Sequence, residues 1–413
     1  MSIIIETSIG DAVDRLTILN IKKNKINDEN KIFEINKEQK LLLTKLQSYL
    51  KGPIYYYYII LEKINIHIWE LLDNAKYNNN NNKEYELNFY RDQEDYNERR
   101  FRVKRMIDNY CSSDIKEQKG YLNKTCAILT NLGLGDHIYH GGMIRYLATK
   151  YDKIMLICLK SNLENLKLLF FDILYIFVFI EVEHYSNANH YKEITLIKNK
   201  LVNDKSIDKY FTGSYRLDKQ DNVYDYPFSW YDIYNFDYSI FWEYNFIPKT
   251  DNCLYIYNLT NNVDYVFIHN TCSGGKVFNI DFIEENLNID KNEILFINPC
   301  VNIYKSDHKF FELANKFLIY KVCEYSTLIE NAKYVILSDS SFFGLAWHLK
   351  IKTNNLYYFN RGFDYEHFYN NKYKNKNPKQ QRFIKLNTNN INVFPGPYKS
   401  HIVGGSEELK KII

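Results

Sequence analysis

The feature that most constrains the fold of this sequence is a change of pattern near residue 120. Before it, apolar residues recur at helical spacing for more than a hundred residues. After it, short apolar runs alternate with amphipathic stretches, beginning with residues 126–129 and 153–158 around an intervening helix at 140–150. Alternation of this kind predicts right-handed strand–helix–strand units on a parallel sheet. We therefore expect an α/β fold that follows an α-helical region.

The alternating part divides into two blocks. The first has predicted strands at 126–129, 153–158 and 173–180, with helices at 140–150 and 163–171. The second has predicted strands at 264–269, 293–298, 334–337 and 355–359, the last of which ends the sheet, with helices at 307–317, 325–332 and 341–349. We expect two Rossmann-like domains at 120–255 and 260–365, in which residues 215–260 contribute joining helices and loops. A loop-rich tail is expected at 370–413, where the Pro395-Gly-Pro397 segment is incompatible with regular structure.

Residues 1–115 are predicted to form helices. Ser8 with Asp11 is typical of a helix start, and apolar residues follow at helical spacing. The pattern is interrupted at Gly52-Pro53 and by the asparagine run at 78–82, which predicts turns or loops between helices. A charged last helix is expected up to about residue 110.

Charge and cysteine content exclude several classes of protein. Lys and Arg total 53 and Asp and Glu total 50, so the sequence lacks the basic excess of a nucleic-acid-binding protein. The seven cysteines include no Cys-x-x-Cys pair and form no close cluster with histidines, so neither a zinc module nor a disulfide framework is expected. A reducing, cytoplasmic environment fits this usage best. The surplus of Asn, Lys, Ile and Tyr suggests an A/T-rich genome, such as that of a virus or a parasite.

We expect neither a signal peptide nor a transmembrane segment. The first residues lack a basic start, and Glu6 interrupts the apolar run that follows Met1. The most apolar stretch, 168–180, is shorter than a bilayer requires and contains Asp172. It is typical of a buried strand instead.

The first candidate ligand loop is the turn between residues 129 and 140. Gly133 and Gly135 allow a tight turn and a close ligand approach, and Asp136 follows at the expected carboxyl edge of the sheet. A dinucleotide-binding motif requires a third glycine where this chain has Ile138, which disfavours a nucleotide-dependent oxidoreductase. Asp136 is suitably placed to abstract a proton. The alternative is a purely structural turn in which Asp136 caps a helix.

The second candidate loop is formed by residues 338–341, between a predicted strand and a helix. The hydroxyl groups and free N–H groups of such a turn can hold a diphosphate, although helix capping explains the same residue types. The candidate residues of this half are Ser338, Asp339, Ser340, Ser341, His269, Asn270 and Arg361. Arg361 could neutralise phosphate or lie on the surface, and a lone His269 is more often structural. Lys305, His308 and Lys309 are weaker candidates of the same kind. The chain contains no Asp-x-Asp sequence, so a metal-dependent nucleotide site of that type is not expected.

The order of these segments resembles the heptosyltransferase-like family of GT-B-type glycosyltransferases, which act in lipopolysaccharide synthesis. The similarity covers about residues 124–362. It rests on Gly135-Asp136 with the apolar helix after it, and on residues 328–349 with the Asp339-Ser340-Ser341 turn. This resemblance implies that Asp136 is the general base and that Asp339, Ser340 and Ser341 bind the diphosphate of a nucleotide-sugar donor. His348 falls several residues later than the corresponding histidine of the family.

The beginning of the chain resembles a different family. Residues 8–22, with the sequence SIGDAVDRLTILNIK, are similar to the opening of a small bacterial helical domain of unknown function. The resemblance implies no chemistry. An accessory role is expected for this region, which could also mediate the formation of a homo-oligomer.

The sequence as a whole predicts a metal-independent, inverting glycosyltransferase. It would transfer a sugar from a nucleotide-diphosphate donor, bound as a co-substrate, to a hydroxyl group of a glycan or glycolipid, with no other cofactor. The alternative is a non-catalytic carbohydrate- or protein-binding module on the same fold. The many tyrosines of residues 210–260 could stack on sugars in such a module, although core packing explains them as well.

Overall fold

A computed structural model describes residues 6–77, 83–120, 123–130, 132–183, 188–212, 229–271, 276–359, 383–386 and 394–395. Within these ranges the chain has a mixed α/β fold in which helices precede two parallel sheets. The change of pattern near residue 120 corresponds to the interval between the last helix of the first part, which ends at Tyr110, and the first strand, which begins at Thr125.

The first part of the chain folds into helices that pack side by side. They are α1 Ile9–Lys25, α2 Glu29–Leu46, α3 Pro53–Tyr77 and α4 Lys83–Tyr110. Ser8 caps α1, because its hydroxyl oxygen accepts a hydrogen bond from the Asp11 N–H at 3.0 Å. Gly52 precedes α3 with a φ of +54°, a conformation that glycine adopts at little cost. Both features were predicted from the sequence.

The start of α1 packs directly on α3 and α4. Gly10 donates its N–H to the carboxylate of Asp108 at 2.7 Å, and burial raises the pKa of Asp108. The carboxylate of Asp14 accepts hydrogen bonds from Arg100 and from Asn65, each at 2.8 Å. The distinctive N-terminal motif therefore has a clear role in helix packing.

Replacing Gly10 with alanine is expected to destabilise the protein by about 1–3 kcal/mol, the usual cost of overpacking. A β-carbon at this position would lie 2.5 Å from the carbonyl oxygen of Lys104 and 3.0 Å from each carboxylate oxygen of Asp108. Gly120→Ala is the matched control, because a β-carbon there would meet nothing within 4 Å. Urea unfolding measures both effects. Equal stability of the two variants would contradict the packing described.

The first sheet is parallel, with the strand order β3-β2-β1-β4. Its strands are β1 Thr125–Leu129, β2 Lys153–Leu159, β3 Phe177–Val182 and β4 Lys209–Thr212. The connecting helices are α5 Leu134–Tyr139, α6 Gly141–Ala148, α7 Leu163–Leu169 and α8 Ala188–Val202. The strand order reverses direction at β1. In open parallel sheets, ligands bind beyond the carboxyl ends of the strands at such a switch point.

The strand predicted at 173–180 begins later than expected. Residues Phe171–Ile176 form 3-10 helix with a kink at Ile173, whose φ of −131° is not helical, and β3 starts only at Phe177. Ile173 and Ile176 are buried three residues apart, which is the spacing of one 3-10 turn. The turn also holds the carboxylate of Asp172 inside the protein, where Arg145 binds it at 2.9 Å. That contact is distant in sequence and could not be predicted from local pattern.

Short helices lead from the first sheet to the second. They are α9 Ser229–Ile233, α10 Ser239–Glu243 and α11 Asp251–Asn258. The second sheet is also parallel, with the order β10-β9-β8-β5-β7. Its strands are β5 Tyr265–His269, β7 Leu295–Ile297, β8 Tyr334–Ser338, β9 Leu356–Phe359 and β10 Ile384–Lys385. The helices of this part are α12 Ile280–Leu287, α13 Phe311–Asn315, α14 Ser326–Asn331 and α15 Ser341–Ala346. The strand order changes direction at β5, which lies between β7 and β8.

Several predictions for the second sheet need correction. The sheet does not end at Phe359, because β10 pairs with β9 on its outer side. The helix predicted at 307–317 is limited to α13. Pro395 lies in a short strand, β11 Phe394–Pro395, which pairs with β6 Lys276–Val277 in an antiparallel two-stranded sheet. Every strand of such a sheet is an edge strand, where proline is tolerated because its missing N–H can face away from the ladder.

The core is shared by the helical region and both sheets. One continuous cluster of buried apolar side chains includes Val13 and Leu61 of the helices, Ile128 of the first sheet and Phe267 of the second. In the part of the chain that the structure describes, every helix is too short or too polar to span a bilayer.

Candidate functional site

The first candidate turn lies at the switch point of the first sheet. Gly133 precedes α5 in an extended conformation. The carboxylate of the half-buried Asp136 folds back over the turn, so a β-carbon at Gly133 would clash with its Oδ2. Leu132 adopts a φ of +69° and is held by Thr130 and Asn162, at 3.2 and 3.0 Å. A left-handed conformation is unfavourable for leucine, and such strain is concentrated at functional sites.

Two histidines that were not selected from the sequence hold this turn in place. Nδ1 of His137 lies 2.9 Å from the carbonyl oxygen of Gly133, and burial lowers the pKa of His137. Nδ1 of His140 lies 2.7 Å from the carbonyl oxygen of Asp136, and its ring packs on Trp230 with centroids 4.4 Å apart. The sequence signal for these histidines is their spacing. His137 follows Gly133 by four residues and His140 follows Asp136 by four, and residues four apart share a helix face.

The second candidate turn is organised around His269 at the end of β5. Nδ1 of His269 lies 2.9 Å from Oγ of Ser340 and 3.3 Å from Oγ of Ser338, and Nε2 lies 3.3 Å from Oγ1 of Thr271. Burial lowers the pKa of His269 to about 3, so its ring is neutral at pH 7. His269 therefore joins β5 to the β8–α15 turn and contributes no positive charge to it.

Replacing His269 with asparagine is expected to weaken the acid sensitivity of folding. Its pKa falls from 6.5 when unfolded to about 3 when folded, so between these values only the unfolded chain takes up the proton. Wild-type stability must then decrease as the pH falls through 6.5. Between pH 7 and pH 5, His269 contributes at most about 2 kcal/mol to this loss of stability. Urea unfolding at pH 7 and pH 5 should show a smaller loss of stability in the variant than in the wild-type protein. The loss that remains in the variant is expected to come from His137, whose pKa is also lowered by burial. An identical loss in both proteins would contradict a buried neutral His269.

Asn270 and Asp339 are enclosed at the same edge of the second sheet. The Asn270 side chain donates to the carbonyl oxygen of Phe278 at 2.7 Å and accepts a hydrogen bond from Asn298 at 2.9 Å. Asp339 is buried, and its backbone N–H donates to the carbonyl oxygen of Phe359 at 3.2 Å. The Asn270 amide thus links the end of β5 to Phe278 and to Asn298, which follows β7.

The structure brings the two turns into contact. A β-carbon built on Gly135 would lie 3.5 Å from both N and Cα of Ser341, a buried residue that begins α15. One turn further along, a β-carbon on Gly344 would lie 3.4 Å from the ring of Tyr139. The helices α5 and α15 therefore pack side by side, and the two candidate turns meet through Gly135 and Ser341.

A wall beside α5 and α6 was not identified from the sequence. Asn245 donates a side-chain hydrogen bond to the carbonyl oxygen of Ile138 at 3.0 Å, and Trp230 is fully buried against His140. A β-carbon on Gly142 would lie 2.5 Å from the carbonyl oxygen of Ile240, so α6 and α10 approach closely. The adjacent glycines 141 and 142 were the only local signal of this packing.

The remaining candidates lie elsewhere or outside the described residues. Arg361 falls outside them. The loop between β7 and α13 carries Lys305, His308 and Lys309. Nε2 of His308 lies 3.1 Å from Oδ1 of Asn292, which precedes β7. His348 is buried after α15, with its ring 4.8 Å from that of Phe241.

No protein-family model matches the sequence, and no curated protein matches it. Among solved structures, the chain is similar to the glycosyl transferase family 9 protein from Veillonella parvula DSM 2008. The two share 10% sequence identity with a TM-score of 0.39, over 71% of this chain and 92% of that one.

Within the described ranges, no group of three or more His, Cys, Asp and Glu side chains could hold a metal ion.

Proposed function

We propose that this chain is a glycosyltransferase that moves a sugar from a nucleotide-diphosphate donor to an acceptor hydroxyl, without a metal ion and with inversion. The observation that carries the proposal is the contact between Gly135 and Ser341. It joins two turns, each at the switch point of its own parallel sheet, where ligands of such sheets bind. In this proposal the two sheets belong to two Rossmann-like domains in a GT-B-type arrangement, with the acceptor on the first and the donor on the second.

Asp136 is the proposed general base. Its carboxylate is half-buried at the start of α5, and the His140 side chain binds its backbone carbonyl at 2.7 Å. A carboxylate at this position can take the proton of an acceptor hydroxyl as that oxygen attacks the anomeric carbon. The attack comes from the face opposite the leaving diphosphate, so the configuration of the anomeric carbon inverts. A glycan or a glycolipid would supply the hydroxyl.

The donor diphosphate is proposed to lie against residues 338–341. Ser340 and Ser341 offer hydroxyl and N–H groups at this turn. Because burial keeps His269 uncharged, the negative charge of the diphosphate must be met elsewhere, and Arg361 is the proposed cation. The same site would hold the donor as a co-substrate, with no separate cofactor.

Thermal unfolding with nucleoside diphosphates tests the proposal. At a concentration one hundred times its dissociation constant, a bound ligand stabilises the folded state by about 2.7 kcal/mol. For a chain of this size that corresponds to roughly 3 °C in melting temperature. We expect one of UDP, GDP, ADP and CDP to produce such a shift. If none does, the alternative of a non-catalytic carbohydrate- or protein-binding module is favoured.

A further inference from the structure

A cavity of about 580 Å³ lies away from the two turns. It opens where the loop between α2 and α3 meets the end of α4 and the segment that precedes α11. Its volume is in the range of small-molecule sites. Neither the proposed general base nor residues 338–341 line it.

Aromatic side chains form two walls of this cavity. Tyr110 packs edge-on against Phe171 at 5.8 Å between ring centroids, and Phe246 packs on Tyr56 at 5.4 Å. Tyr49, which also lines the cavity, has 42% of its surface exposed. Fixed aromatic rings beside an accessible one can hold the apolar face of a sugar ring at low entropic cost.

The cavity also has a positively charged corner. Lys51 lines it and is exposed, and among the described residues it takes part in no ion pair. The adjoining α3 starts at Pro53 and is 25 residues long, so its positive end reinforces the charge. Lys249, which also lines the cavity, is paired with Glu330, and Asp251 contributes a carboxylate to the lining. A carboxylate can accept hydrogen bonds from sugar hydroxyls.

We propose that this cavity binds a phosphorylated sugar. The phosphate would lie at Lys51 and the start of α3, the sugar ring against Tyr49 and Tyr110, and the hydroxyls toward Asp251. The cavity adjoins the proposed catalytic helix, because Phe246 follows Asn245, which is bonded to Ile138 of α5 at 3.0 Å. The binding itself does not depend on the glycosyltransferase function.

Isothermal titration of the full chain, with no donor present, tests this site. The probes are glucose 6-phosphate, glucose and inorganic phosphate. We expect saturable binding of glucose 6-phosphate, at least about tenfold tighter than that of either other probe, because only it engages both the cation and the aromatic walls. Absence of saturable binding, or equal affinity for glucose or for phosphate, would overturn the proposal.

Paired variants connect the binding to this cavity. Lys51→Glu should weaken glucose 6-phosphate at least about tenfold, whereas Lys45→Glu, on the exposed side of α2, should leave it unchanged. Tyr49→Ala should also weaken it, and Tyr55→Ala, which is exposed outside the cavity, should not. Unchanged melting temperatures establish that all four variants fold. Equal affinity in the two lysine variants would place the sugar phosphate elsewhere and refute the assignment.

Discussion

Replacing Asp136 with asparagine is expected to lower the turnover of sugar transfer by about 10²–10⁴-fold, the usual contribution of a general base. Asparagine keeps the size of the side chain, but it cannot take up the proton of the acceptor. Because the proposed donor site is the other turn, the thermal shift with the stabilising nucleotide should be retained. The measurement is steady-state turnover, with the donor and acceptor that the wild-type protein uses.

The control for this variant is Asp264→Asn. Asp264 is an exposed carboxylate before β5, where it pairs with Lys333. It lies at the amino end of that strand, opposite the two turns. The turnover of Asp264→Asn should equal that of the wild-type protein. A turnover of Asp136→Asn within about twofold of wild type would remove Asp136 from the mechanism, whatever the control shows.

Breaking the buried ion pair between Arg145 and Asp172 is expected to cost about 3–5 kcal/mol of folding stability. Only 2% of the Arg145 side chain and 0% of the Asp172 side chain are exposed, and their charged groups are 2.9 Å apart. Tyr57 of α3 donates a hydrogen bond to the same carboxylate. Arg145→Ala would leave that carboxylate buried without a counter-charge. The network also ties the helical region to the first sheet.

Urea unfolding of single and double variants measures this contribution. Lys333→Ala breaks an exposed ion pair and should cost no more than about 1 kcal/mol. The double variant Arg145→Met with Asp172→Leu should be more stable than Arg145→Ala, because both charges are then removed together. A loss below about 1 kcal/mol in Arg145→Ala would contradict the burial described here.

The sequence predicted the regular elements well where the pattern is local. The starts of α1 and α3 follow from Ser8 and Gly52, residues whose hydrogen bond or backbone angle acts within a few positions. The strands β1, β2, β5 and β8 lie within a residue or two of their predicted ranges, because fully buried parallel strands are short apolar runs. Asp136 and residues 338–341 were selected because turns after such strands carry ligand sites.

The contacts that build the candidate site could not be predicted in the same way. The packing of Gly135 on Ser341 joins residues more than two hundred positions apart. His269 was a candidate ligand, but its bonds to Ser338 and Ser340 depend on the pairing of β5 with β8. The 3-10 segment before β3 carries Asp172, whose partner Arg145 is likewise distant in sequence. Each is a tertiary contact that leaves little trace in local periodicity.

The most direct test of the proposed function is a crystal structure of the chain with the nucleoside diphosphate that stabilises it. We expect the diphosphate to lie within hydrogen-bonding distance of Ser340 and Ser341, on the same side of the sheets as the Asp136 carboxylate. A nucleotide bound away from both turns, or no nucleotide bound at saturating concentration, would contradict it.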